Sequence, residues 1–180
     1  EVPLFLETGH YHEVVRPYLE DILRAVDQVV VSTPALAERL GAYNANVGVI
    51  PNLVSEALFQ ACHNDRDPIH LIVASSDTVR VDFILPALRE VTHRNEHTRI
   101  VAIGPPADAL AAAGLDPIRA DNLSYPEFGR YISGWSNPIG VIPLEDSVFS
   151  SCKSPIKYLD YSNHGIPVIA SNVAPYADVI

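Results

Sequence analysis

Lysine is nearly missing from this sequence. Of twelve cationic side chains in 180 residues, only Lys153 and Lys157 are lysines, against twenty-two carboxylates. A net charge of −10 argues against a nucleic-acid partner and against an acidic membrane surface for this portion. Cysteine is scarce as well. Cys62 and Cys152 are too few for a disulfide framework, and a reducing, cytoplasmic setting is expected. No apolar run approaches the roughly 20 residues of a spanning helix, and no signal-peptide pattern opens the chain. Membrane contact is therefore expected, if anywhere, through parts outside this sequence. Methionine is absent, initiator included, and the sequence reads as part of a longer chain. There is no G-x-G-x-x-G, no phosphate loop, no zinc spacing and no Ser/His/Asp order, which weighs against a nicotinamide dehydrogenase and a phosphate-loop hydrolase. His10 and His12 form a lone His-x-His without a third ligand cluster, so no metal site is expected.

What is present is a globular composition with a regular alternation. Hydrophobic residues make up 48%, with fifteen prolines and nine glycines, enough for a sizeable core. Residues 14–25 follow the helical period through Val15, Tyr18, Leu19 and Ile22. A short strand is expected at 27–32, and then a helix over 35–40 opened by Thr33 and Pro34. Another strand follows at 46–50, closed by Pro51 and Asn52. Residues 55–68 are polar and irregular, and read as a linker. Beyond it strands are expected at 69–74, 99–103, 117–120, 139–142 and 167–170, separated by helical stretches. Strand–helix alternation with right-handed crossovers implies a doubly wound α/β domain with a parallel sheet, which binds ligands at the carboxyl ends of its strands.

The densest chemistry lies between Ser151 and Ser171. Ser154 reads as an N-cap and Pro155 as the first helical residue, Ile156 and Leu159 give a buried side, and Gly165 ends the helix. Both lysines of the chain stand at its start. Cations there oppose the helix dipole by roughly 0.3–1 kcal/mol each, while backbone N–H groups welcome an anion. Lys153, Ser154 and Lys157 are therefore candidates for holding a diphosphate. Asp160 follows Lys157 at i+3 and is a candidate acceptor for ribose hydroxyls. The alternative is a solvated Lys/Asp face.

The run Lys-Ser-Pro-Ile-Lys-Tyr-Leu-Asp-Tyr, with His-Gly-Ile-Pro-Val-Ile-Ala-Ser-Asn-Val-Ala-Pro-Tyr after it, resembles the donor-binding signature of glycosyltransferase family 4. That resemblance implies the GT-B architecture, two Rossmann-like domains facing across a cleft, here incomplete at both ends. Residues 1–54 would be the end of the N-terminal domain, 55–68 the linker, and 69–180 the C-terminal domain that binds the nucleotide sugar. It implies sugar transfer from a nucleoside-diphosphate sugar to a carbohydrate or lipid-linked acceptor. The chemistry of the family is metal-independent, needs no cofactor and usually retains configuration. Where better-known members carry Glu-x7-Glu, the second glutamate, which binds ribose, falls on Asp160. The first, which touches the sugar, falls on Cys152, so the catalytic residues are left unassigned.

Three loops follow expected strands. Residues 75–80 end in Arg80, either a diphosphate contact, as the resemblance implies, or an exposed arginine on a surface loop. Gly104, Pro105 and Pro106 read as a structural turn. Glu145 and Asp146 read as an acidic surface turn or, by the resemblance, as reaching a donor hydroxyl. Two other functions compete with glycosyl transfer: a nucleotide-binding module without catalysis, which the cysteine at 152 fits, and a nucleotide-sugar epimerase of the same architecture. Reaction product distinguishes the three.

Overall fold

The computed structural model describes residues 15–55, 57, 61–62, 68–76, 80–177 and 179–180, so the His10/His12 pair and much of the 55–68 segment lie outside the described residues. The chain divides into two compact units. The first takes the described residues up to Leu53 together with Asp146–Pro155 and Val173–Ile180, and the second takes Val54–Glu145 and Ile156–Asn172.

In the first unit, helix α1 (Val15–Ala25) carries Glu20 between Arg16 and Arg24, at 2.9 and 3.1 Å. Strands β1 (Val29–Val31) and β2 (Val47–Val49) pair in parallel as a separate two-stranded sheet. Between them runs α2 (Pro34–Leu40). Its expected cap is present: the Thr33 hydroxyl accepts from Leu36 N at 3.2 Å and donates to the Cys152 carbonyl at 2.9 Å. A one-turn helix, Val148–Ser151, is capped by Ser147.

The second unit is built on a five-stranded parallel sheet. Its strands are β3 (Ile69–Ala74), β4 (Thr98–Ile103), β5 (Ile118–Ala120), β6 (Pro138–Ile142) and β7 (Val168–Ala170), in the order β5-β4-β3-β6-β7. The expected doubly wound α/β sheet is therefore present, with strand boundaries within a residue of those read from the pattern. In β3 every residue after Ile69 is buried, as a central parallel strand covered on both faces requires. Alternation along the strands sorts the helices. Leu71, Val73, Ile100 and Ala102 pack with Leu88 of α3 (Leu85–Arg94) and with Ala107 and Leu110 of α4 (Pro106–Ala112). A 3-10 turn, Asp82–Ile84, leads directly into α3.

Other contacts belong to α5 (Tyr125–Ser133) and α6 (Ile156–Asn163). Tyr161 of α6 is 1% exposed, and its ring lies so close to Gly140 that a Cβ there would stand 2.7 Å from it. Phe128 of α5 meets Tyr161 edge-on at 6.1 Å. His164 is buried beside Gly129, and Gly165, at φ +69°, supplies the left-handed turn that ends α6. Helix α6 itself begins at Ile156, two residues after the expected cap. Ser154 is engaged elsewhere, its hydroxyl accepting from Asn52 Nδ2 at 2.6 Å.

Leu110 is fully buried among Leu71, Val73 and Ile100, so Leu110→Ala removes apolar contacts from a site that cannot collapse freely. Urea unfolding is expected to show a loss of about 2–5 kcal/mol with an unchanged m-value.

Candidate functional site

The strand order decides where a ligand can sit. From β3 the chain steps outward to β4 and β5, then returns to β6 on the other side of β3, so the crevice between the carboxyl ends of β3 and β6 is the switch point of the sheet. The loops that leave those two ends carry charge, and they are joined. Arg80, after β3, pairs with Glu145, after β6, at 2.9 Å, and with Asp82 at 2.8 Å. The Arg80 hydrogen bond holds the Asp82 carboxyl below its usual range. All three side chains are largely exposed, so the cluster orders loops more than it stabilises the fold. The loop after β6 is fastened further by Leu144 N, which donates to the Ser171 hydroxyl at 2.9 Å.

Lys157 occupies the first turn of α6. Its ammonium donates to the carbonyl of Ala74, the last residue of β3, at 2.7 Å. A cation that the dipole disfavours is thus anchored at the carboxyl end of the central strand. One turn on, Asp160 accepts a hydrogen bond from the Tyr125 hydroxyl at 2.8 Å. Burial pushes the Asp160 carboxyl up from the ordinary 3.8, while the Tyr125 bond and the charges of His164 and Lys157 pull the other way. Burial and the same carboxylate push the Tyr125 phenol up to about 12, so it stays protonated and serves as donor.

A cleft of about 330 Å³ opens at the carboxyl ends of β4 and β5. Gly104, Asp108, Arg119, Asp121 and Asn122 line it, with Asp108 and Arg119 paired to each other. Gly104 is held at φ +75°, and a Cβ there would overlap the Ser75 carbonyl and Asn122 Oδ1. Glycine is what lets these three loops close over one another.

Of the residues singled out in the sequence, Arg80, Lys157 and Asp160 all belong to the second unit, on its carboxyl-end loops and on α6. Lys153 and Ser154 belong to the first unit, where Lys153 lies 4.6 Å from the Phe149 ring centre and Ser154 accepts from Asn52. Glu145 is committed to Arg80. Tyr125 and the Gly104–Asn122 cleft escaped the sequence reading. The first had a signal, because Ser124-x-x-Glu127 is a capping box that makes Tyr125 the first residue of its helix. The cleft had none beyond Gly104.

No family model matches the chain, and no curated protein matches it in sequence. Among solved structures it resembles TarM, with a TM-score of 0.61 at 13% identity over 92% of this chain and 33% of that one. The fold is of the GT-B type. This chain spans about a third of TarM's length. A chain of the GtfA/B complex gives a TM-score of 0.49 at 15% identity, over 87% of this chain and 32% of that one. Among the described residues no group of three or more His, Cys, Asp or Glu side chains could hold a metal ion, and no helix is long and apolar enough to cross a membrane.

A carboxyl raised by burial has a consequence for stability. The ionised form of Asp160 costs the folded state free energy at every pH above its raised pKa, and the cost disappears as pH falls through that value toward 3.8. Asp160→Asn keeps an oxygen for Tyr125 and removes the charge. It is expected to raise the unfolding temperature at pH 7, by an amount that shrinks on acidification. Thermal unfolding of both proteins from pH 7 to pH 4 checks this, and a gain that grows toward acid contradicts it.

Proposed function

We propose that this chain carries the donor-binding part of a glycosyltransferase that moves a sugar from a nucleoside-diphosphate sugar to a carbohydrate or lipid-linked acceptor. The observation that carries the reading is Lys157, held by the Ala74 carbonyl at the end of the central strand, on the helix that also presents Asp160. A diphosphate at this crevice would meet an ammonium already fixed in direction and the N-terminal N–H groups of α6, with Arg80 on the adjoining loop. Asp160 would accept from the ribose. The cleft at Gly104 would take the base. In the reaction the bond between the anomeric carbon and the phosphate oxygen breaks, and its electron pair leaves with the nucleoside diphosphate. The acceptor oxygen bonds that carbon and gives up its proton to the departing phosphate oxygen. Lys157 and the helix N–H groups stabilise the charge that gathers on the leaving oxygen, a contribution that is typically large. Likeness to glycosyltransferase family 4 in the Lys153–Tyr161 run supports a retaining, metal-independent course.

One observation favours a second reading, nucleotide binding without transfer. Cys152 stands where the family's sugar-contacting glutamate would be, and its side chain is buried. Transfer of labelled sugar to an acceptor separates the two.

The donor reading is tested by thermal shift with UDP, GDP, ADP and dTDP. A bound nucleotide at 100 times its Kd is expected to add about 2.7 kcal/mol of stability. Lys157→Ala removes a charge-assisted bond to Ala74 worth roughly 1.5–3 kcal/mol and relieves a dipole conflict of roughly 0.3–1 kcal/mol, so stability is expected to fall by about 1–2 kcal/mol. Its affinity for the diphosphate is expected to fall by about one to two decades, while the bare nucleoside is spared. Equal losses for both ligands return Lys157 to a structural role.

A further inference from the structure

We propose that Tyr125 is a positioning residue for the nucleoside: its hydroxyl, bonded to Asp160 Oδ1, turns the carboxylate so that Oδ2 is presented to the ribose. The inference rests on the reading of Asp160 as the ribose contact and adds to it the group that aims it.

The terminal torsion of an aspartate is broad, so a carboxylate on a helix does not by itself hold one plane. A hydrogen bond to one oxygen fixes that plane, and here the donor comes from a different helix, at 2.8 Å. Tyr125 is itself held in place. The Glu127 carboxylate accepts from Ser124 N at 2.9 Å, which closes the capping box and sets the first turn of α5 where Tyr125 stands. The two helices also meet at the Phe128–Tyr161 edge contact and at the close approach of Gly129 and His164, both further along α5. Tyr125 remains 47% exposed. A half-exposed phenol that gives its hydroxyl to a partly buried carboxylate fits orientation better than support. The bond also favours the ionised carboxylate against burial, and an ionised oxygen is what a ribose hydroxyl needs as acceptor.

The test uses calorimetric titration of the full chain with UDP, GDP and ADP, each beside its 2′,3′-dideoxy counterpart, for the parent, Tyr125→Phe, Asp160→Asn and the double variant. Tyr125→Phe is expected to weaken the ribonucleotide about five- to tenfold. The loss should vanish with the dideoxy nucleotide, and in the double variant it should not add in full to that of Asp160→Asn. The pH profile gives a readout that support alone would not move. Lys157 and His164, the other charged or titratable groups acting on Asp160, stay in place, so removing the phenol raises the carboxyl further and ribonucleotide binding is lost at a higher pH on acidification. An equal loss with the dideoxy nucleotide, or an unmoved pH profile, overturns the positioning role. So does no loss at all. If Asp160→Asn leaves every ribonucleotide unaffected, the ribose reading falls and takes this inference with it. If none of the three nucleotides binds the parent, the donor reading has failed first.

Discussion

Strand β3 is hydrogen-bonded to a parallel neighbour on each side, to β4 over all six of its residues and to β6 over four. The rest of the second unit depends on that double pairing. Because the chain leaves β3 toward one edge and later returns to the other, the loops after β3 and β6 meet at the switch point of the sheet, where Arg80 and Glu145 join them. Covalent order alone then brings Arg80, Glu145 and the start of α6 around one strand end. Helices α3 and α4 bury Leu71 and Val73, and Tyr161 of α6 closes on Gly140 of the neighbouring strand, so the strands beneath these loops are packed on both faces.

The charges around the crevice are arranged differently from their sequence pattern. Arg80 spends its guanidinium on two carboxylates and Lys157 donates to a carbonyl. For Arg80, an incoming phosphate would exchange with the side chains of Asp82 and Glu145, and the loops after β3 and β6 would part as it did so. Lys157 donates to a neutral carbonyl, and its charge also acts on the Asp160 carboxyl. The two cations are therefore held differently: Arg80 by two carboxylates on exposed loops, Lys157 against the end of the central strand.

Much of this architecture was legible because it rests on short-range rules. Apolar runs bounded by Gly and Pro located all five strands of the sheet, and Thr33-Pro34 located α2 with its cap. Gly165 marked the end of α6. What the pattern missed were features decided by other parts of the chain. Ser154 has the chemistry of a cap, but its hydroxyl accepts from Asn52, far away in sequence, and α6 starts one residue past the expected Pro155. The Asp82–Ile84 turn blurs the start of α3 because its residues keep the helical period while their hydrogen bonds do not. For the candidate site, composition drew attention to Lys157 and Asp160, whereas Tyr125 is 35 residues from Asp160 in sequence and looks like an ordinary aromatic at a helix start. Pairings across the sheet have no local signature, and these are the ones that shape the crevice.

The fit of Tyr161 over Gly140 bears on how this chain can change over generations. Position 140 has no space for a side chain while 161 is aromatic, and position 161 leaves a void if it shrinks while 140 stays glycine. Either substitution alone passes through a less stable protein, one overpacked and the other hollow. The two positions are therefore bound into a single heritable unit, free to drift together and held when apart. Lineages of this fold should differ at both or at neither, and the β6–α6 contact is where their divergence would be abrupt.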